Sequence, residues 1–375
     1  MILTIFIAFI SLISLIILHE FGHFIVARRF GVKVEEFGIG YPPRLFGKRI
    51  GETIYSLNLL PFGAFVKIYG EEKKIEHERS FSQKPIWQRA FIVLGGVVSF
   101  WIISAILLSI VMSLGSPTAI SDEENGELID PRVQIAAVAP GSPAQVAGIK
   151  VGDTIALLKL KIKNDPEKKS ETSNGASSQR LIINKVKEVQ EFTNLHKGEE
   201  ITLTIERGKE VFEVSLVPRV SPPAREGAMG VALVRTAIKS YPWYKAIFQG
   251  ILATGNLTIA VIQGWAQALG NLIKGLPTGV QLMGPVGIFS LFAQVSQLGV
   301  IYFLQFIAII SIYIALFNIL PIPALDGGKL LFLGIEAVRR KPVSQKIEQN
   351  ITFAFFMILI VLMVLVTIKD IARLF

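Results

Sequence analysis

Two of the chain's four histidines and one glutamate lie together in "LHEFGH", Leu18–His23, inside the first long apolar run. On an α-helix His19 and His23 are four residues apart and share a face, so both imidazoles can reach one divalent ion with Glu20 beside them. Zinc (Zn2+) suits such donors: it takes nitrogen and oxygen ligands tetrahedrally, and a catalytic site keeps one position for water. Other divalent ions fit the same ligand types. Glu20 would take the water's proton, which makes the chemistry hydrolytic. Ionisable groups at membrane depth are costly to place and point to function.

Two imidazoles leave zinc short of a ligand, and the chain has no cysteine to supply one. His77 in "EKKIEHERS" and His196 in "TNLHKGEE" read as solvated surface. The better source is "NILPIPALDGGK", Asn318–Lys329, where prolines break a helix and Asp326 is followed by two glycines that allow close backbone approach. Asp326 is the candidate third ligand; an Asp at such a position otherwise caps a helix or turns the chain.

The elements that must hold these groups belong to a membrane protein. The 375 residues are 51% hydrophobic and 18% charged, with a mean hydropathy of +0.53, too apolar for a soluble chain of this length. The net charge of +9 is spread between apolar runs instead of being gathered with aromatics on one face. It therefore argues for orientation and lipid contact and against nucleic acid. Transmembrane helices are expected at 1–27, carrying H-E-x-x-H, at 87–115, at 301–328 with its Leu-Asp-Gly motif, and at 350–369. The first run has no basic n-region or cleavage site and reads as a retained span.

Arg28, Arg29 and Lys33 follow the first span, whereas Ser116–Asp130 carries five acidic residues and no Lys or Arg. The positive-inside rule puts the first segment inside and the second outside. Lys329, Arg339, Arg340 and Lys341 mark the inside again, so the chain crosses an even number of times between the second and third of these spans. Ala246–Ile273 is uncharged, but Gln249, Asn256, Gln263, Gln267 and Asn271 fall on one helical face. The region 241–300 is accordingly expected to form amphipathic, membrane-associated helices.

Residues 28–86 read as an inner-face β-hairpin or loop region, with β-type segments near Thr53–Leu59 and Ala64–Ile68. A free edge there could pair with an unwound substrate, Ser56 and Val66 being candidate edge positions. Between the second and third spans, "VQIAAVAPGSPAQVAGIKVGDTIALL" reads as strand, turn, short helix, Gly-Asp turn and strand; a helix and two further strands follow. This resembles a PDZ domain of the circularly permuted bacterial type over 131–219, interrupted by a polar, mobile insertion at 159–181; the alternative is a small β-sandwich with no peptide-binding role. The fold class is thus a polytopic α-helical membrane protein of about four transmembrane helices, with an inserted extracytoplasmic PDZ-like α+β domain and a membrane-associated β-hairpin region.

Together, "HEFGHFIVARRFGVKVEEFGIG", "NLLPFGAFVKIYGE", the PDZ-like stretch, "GPVGI" at Gly284–Ile288 and "NILPIPALDGG" resemble the site-2 protease family of intramembrane zinc metalloproteases, in its bacterial regulated-intramembrane-proteolysis branch. The likeness runs nearly end to end. It implies zinc held by His19, His23 and Asp326, Glu20 as general base, and Asn318 orienting the substrate backbone. It further implies a multi-pass enzyme of the cell inner membrane, its active site near the cytoplasmic side, cutting membrane proteins in or near their transmembrane segments. Anti-sigma factors and signal-peptide remnants are the substrates it suggests. Where the family has Gly-Pro and an Asn in the second span, this chain has "LGGVVSF", Leu94–Phe100. The other readings are a metal-binding membrane transporter or receptor, which needs ligands but no neighbouring base, and a membrane-anchored PDZ scaffold, which needs neither.

Overall fold

The computed structural model describes residues 2–71, 73–124, 128–160, 180–208, 210–223, 226–276 and 283–372, and divides into two compact units, 1–111 with 242–375 and 112–241. Among the described residues five helices are long and apolar enough to cross a membrane. They are α1 (Ile2–Arg29), α2 (Ile86–Leu114), α5 (Trp243–Ile273), α7 (Val300–Ile319) and α9 (Gln345–Ala372). The protein is a polytopic membrane protein, and its lipid-compatible surface shows in the many exposed Ile, Leu, Val and Phe side chains of these helices.

The helix that raises the number from four to five is α5. Its small residues Ala246, Gly250 and Thr254 are buried, at the four-residue spacing that lets helix backbones approach. A Cβ on Gly250 would run into Ser109, and Trp101 Nε1 donates to Thr258 Oγ1 at 3.2 Å. Residue order along the two helices is opposed, so α5 runs antiparallel beside α2. Farther on, Val261 packs with Ile312 and Leu316 of α7. The Gln and Asn stripe predicted to face an interface is outward-facing at Asn256, Gln263 and Gln267.

Two clusters tie the other elements together. Ala8 and Leu15 of α1, Val97 and Phe100 of α2, Phe292 of α6 (Pro285–Gln297) and Ile307 and Ala315 of α7 form one. Phe24 and Ala27, the start of β1 (Val34–Ile50), the end of β2 (Thr53–Ile68) and Ile92 and Val93 form the other. β1 and β2 are long enough to bend back on themselves. The stretch 34–39 pairs with 54–57 on one side and 64–68 on the other, while 44–50 pairs with the far side of 53–58. The two strands thus build four rows, the outer pairings antiparallel and the central one, 34–39 with 54–57, in parallel register, and among the described residues 64–68 is an edge. Ser56 lies opposite both Gly38 and Gly47 and is interior, contrary to the expectation that it offers a free edge; Val66 lies opposite Phe37 alone.

In the unit 112–241 the strands order as β3 (Ser116–Ala119), β9 (Val231–Lys239), β4 (Ile129–Val138), β5 (Thr154–Leu160), β7 (Ile201–Arg207) and β8 (Glu210–Leu216), with β6 (Arg180–Ile182) also on β5. Alternate residues Val133 and Ile135 of β4 and Ile201, Leu203 and Ile205 of β7 are buried, as are Ile155 and Leu158 of β5 on either side of a register shift. The short helix α3 (Pro143–Val146) starts on Ser142, whose hydroxyl accepts from Gln145 N, while Gln145 Oε1 accepts from Gly141 N, a reciprocal cap. Its companion α4 (Val186–Leu195) is closed at its start by Asp122, which accepts from Val186 N and Lys187 N. The sheet is wider than 131–219, because β3 and β9, which lies between β3 and β4, belong to it. The core of the expected insertion, 161–179, lies outside the described residues, and its ends at Lys159–Leu160 and Arg180–Leu181 are strand.

The Gly-Asp turn of this unit is held by charge. Asp153 is 1% exposed and accepts from Lys150 N at 2.8 Å and from Arg207 Nε and Nη2 at 2.7 and 2.8 Å. The carboxylate holds the Arg207 guanidinium above its usual range. Asp153→Ala removes three charge-assisted bonds and should lower the unit's stability by about 2–3 kcal/mol. Urea-dependent proteolysis of the full-length protein checks this: cleavage within 112–241 moves to lower urea while the helical unit is unaffected.

Candidate active site

The α1 sequence remains helical through "LHEFGH", which places His19 and His23 one turn apart with ring centroids 4.7 Å apart. His23 is oriented from α2: its Nδ1 lies 2.9 Å from the Ile92 carbonyl oxygen, which accepts from it. That assigns the proton to Nδ1 and leaves the Nε2 lone pair free. The contact exists because α2 comes unusually close. A Cβ on Gly96 would overlap the His23 ring, one on Gly22 would overlap Gly95 O, and one on Gly95 would sit 2.7 Å from Val26 Cγ2. These three glycines let the helices touch backbone to backbone, and the missing side chain at position 96 opens the Ile92 carbonyl one turn earlier. His19 is fixed differently, stacked on Phe100 at 4.7 Å.

Asp326 arrives from the other side. Pro321 and Pro323 follow the end of α7, the chain turns through bonds from Ile322 N to Leu320 O and Leu325 N to Ile322 O, and α8 (Asp326–Arg339) begins on the aspartate itself. Gly327 and Gly328 pack on the carbonyls of Ile319, Leu320 and Ile322, where any side chain would collide. Two ion pairs brace α8: Lys329 to Glu71 beyond β2 at 2.7 Å, and Arg89 at the start of α2 to Glu336, with Nη1 to Oε2 at 3.0 Å.

The three expected ligands thus meet. The Nε2 atoms of His19 and His23 are 3.3 Å apart, and each lies 3.3 or 3.4 Å from Asp326 Oδ2. Ligand atoms at about 2.0–2.1 Å from a tetrahedral zinc are separated by about 3.3–3.4 Å, so the triangle has the size of one face of such a site. Its chemistry agrees. Asp326 Oδ2 is buried without a hydrogen-bond donor, and a lone pair of His23 points at it. Converging acceptors repel unless a cation lies among them. Among the described residues this is the one group of His, Asp or Glu side chains whose donor atoms converge in this way.

Glu20 is half-buried on the neighbouring face of α1, where its Oε2 accepts from the backbone N–H of Val66 at 3.1 Å. Asn318 sits in the last turn of α7 and donates through Nδ2 to Ile314 O at 3.0 Å in its own helix. His77 is exposed and accepts from Arg79 N. His196 belongs to the other unit and, contrary to the solvated reading, is buried against Phe192 and bonded to Glu199. Sequence reasoning missed Gly22, Gly95, Gly96 and the Ile92 carbonyl; the available signal was Gly-Gly one helix away from a histidine pair.

Comparison with known proteins identifies the family. Residues 7–362 match the model of peptidase family M50. A Clostridium perfringens protein designated a zinc metalloprotease is 35% identical over 97% of both chains. The Bacillus subtilis regulator of sigma-W protease, RasP, is 27% identical over 98% of both, and the RasP zinc metalloprotease of Bacillus licheniformis is 29% identical over 98% of this chain and 99% of its own. A match over nearly the whole length removes the transporter and scaffold readings. The chain belongs to peptidase family M50, the site-2 proteases, and is an intramembrane zinc metalloprotease.

Proposed function

We propose that His19, His23 and Asp326 hold the zinc, that Glu20 is the general base, and that the edge strand 64–68 carries the substrate. The observation that supports this most strongly is the triangle of three converging acceptors beside a carboxylate that touches a strand edge. Zinc, when bound, polarises the scissile carbonyl and acidifies water. The protein's own groups do the rest. Glu20 takes the proton of the attacking water and delivers it to the leaving amine. An unwound transmembrane segment would leave backbone donors and acceptors unpaired in lipid at several kcal/mol each, and the Val66 edge replaces those bonds by strand addition. Asn318, whose amide nitrogen is committed to its own helix, offers its amide oxygen to a substrate N–H.

The reading places the enzyme in the cell inner membrane with Arg28 at the cytoplasmic surface. The helical rise puts His19 roughly 13 Å from that surface, inside the lipid. The unit 112–241 is read as extracytoplasmic and PDZ-like, controlling access without taking part in the chemistry. The name of the sigma-W regulator from Bacillus subtilis supports membrane-bound regulators of transcription, such as anti-sigma factors, as a substrate class. The experiment is reconstitution of the full chain with a model transmembrane substrate, with zinc measured alongside cleavage. Chelation should remove zinc and activity together, and zinc should restore both. Val66→Pro, which deletes the edge donor, should reduce cleavage with zinc retained. Cleavage that survives complete zinc removal would sink the assignment.

A further inference from the structure

Glu20 is assigned to the water's proton, yet its carboxylate is engaged elsewhere. Its Oε2 accepts from Val66 N, 46 residues away in sequence. Val66 lies opposite Phe37, and among the described residues no other strand flanks it. In an antiparallel pair a residue turns its N–H and C=O to the same side. Because the Val66 N–H points to Glu20, its carbonyl also faces the free edge, toward α1. Val66 therefore presents one donor and one acceptor, the pair an added strand needs. The donor is already taken by the base.

We propose that the Val66 N–H is a shared donor that makes release of the base depend on substrate conformation: at rest it holds Glu20, and an extended substrate segment adding to the β2 edge takes it over and frees the carboxylate. This rests on the strand-addition reading above and extends it. One N–H makes one well-aligned hydrogen bond, so Glu20 and the substrate carbonyl exclude each other there. A segment that stays helical has its carbonyls bonded internally and offers nothing to Val66. Such a segment leaves the base held even when it lies against the site, whereas an unwound one releases it. Val66 is in this sense a positioning residue acting through its backbone. It distinguishes unwound from helical segments by a route separate from whether the scissile carbonyl can reach the metal.

The test uses the zinc-loaded, full-length protein in lipid nanodiscs and an extended peptide carrying one reduced, uncleavable bond. Peptide affinity and amide hydrogen exchange over 64–68 are measured for the wild type, Glu20→Gln and Glu20→Ala. Without peptide, Glu20→Ala should exchange the Val66 amide faster than the wild type. With Glu20 no longer competing, the peptide should bind Glu20→Ala more tightly by about tenfold, in line with the strength of a hydrogen bond to a carboxylate. Glu20→Gln, which still accepts but without charge, should fall between. Equal affinity in all three proteins, with the edge amides protected by peptide in each, overturns the shared donor while strand addition stands. Peptide that binds and protects no edge amide in any of them overturns strand addition, and the shared donor with it.

Discussion

Glu20→Gln should retain zinc at the wild-type stoichiometry and cleave a model transmembrane substrate about 10²- to 10⁴-fold more slowly, the range that loss of a positioned general base produces. The two halves of that result come from different atoms. In the proposed assignment zinc is held by the His19, His23 and Asp326 triangle, whose 3.3–3.4 Å edges do not involve residue 20. Gln keeps the shape of Glu and can still accept from Val66 N, so the packing of β2 on α1 is maintained. What it lacks is proton affinity. His19→Ala and His23→Ala should behave differently, losing zinc and cleavage together, because each removes one corner of the triangle. Zinc by elemental analysis and cleavage by gel shift separate the two classes. Turnover by Glu20→Gln within a few-fold of the wild type would require another base.

How far the sequence carried this site depended on whether side chains or backbone supplied the groups. His19 and His23 were legible because four-residue spacing on a helix is a geometric statement. Asp326 was legible because prolines end the preceding helix and two glycines clear its path, and in the structure those glycines lie on the carbonyls of 319–322. The Val66 N–H and the Ile92 carbonyl carry no residue signature at all; nothing in "AFVKI" says which way an amide points. The hairpin was half visible: its β-type composition showed, but not the bends that bury Ser56 between two rows and leave Val66 at the edge.

The same contrast holds farther along the chain. Strand β9 was hidden by Arg235, a charge in the middle of "VALVRTAIK" that interrupts the apolar alternation. The guanidinium is buried and donates to the carbonyls of Asn184, Ser121 and Glu124, so it fastens loops that pattern reading cannot connect. In α5 two stripes competed. The Gln and Asn stripe suggested an interface, while the small residues Ala246, Gly250 and Thr254, which record its contact with a neighbouring helix, were too ordinary to weigh. Small residues are informative only once the partner helix is known.

Gly96→Ala is the substitution for which local propensity and the structure predict opposite signs. In an exposed helix interior, Gly to Ala stabilises by about 1 kcal/mol. Here a Cβ at position 96 would fall on Nε2, Cε1 and Cδ2 of His23, and the ring has little room to yield. Its helix is pinned to α2 by Gly22 against Gly95 one residue away, and its Nδ1 is bonded to Ile92 O. Relief comes either from rotating the imidazole, which breaks that bond and takes Nε2 out of the triangle, or from separating α1 and α2. Both displace a corner of the proposed zinc triangle. Zinc affinity should fall by at least the 10- to 100-fold seen when an orienting partner of a metal-binding histidine is lost, and cleavage should fall with it. Gly334→Ala in α8, where nothing lies within 4 Å of the added carbon, is the matched control and should be neutral or slightly stabilising. Zinc titration against a competing chelator, with thermal unfolding of both variants, reads the difference directly. If Gly96→Ala binds zinc like the wild type and is stabilised as the control is, helix propensity has won, and the close approach of α2 is not what orients His23.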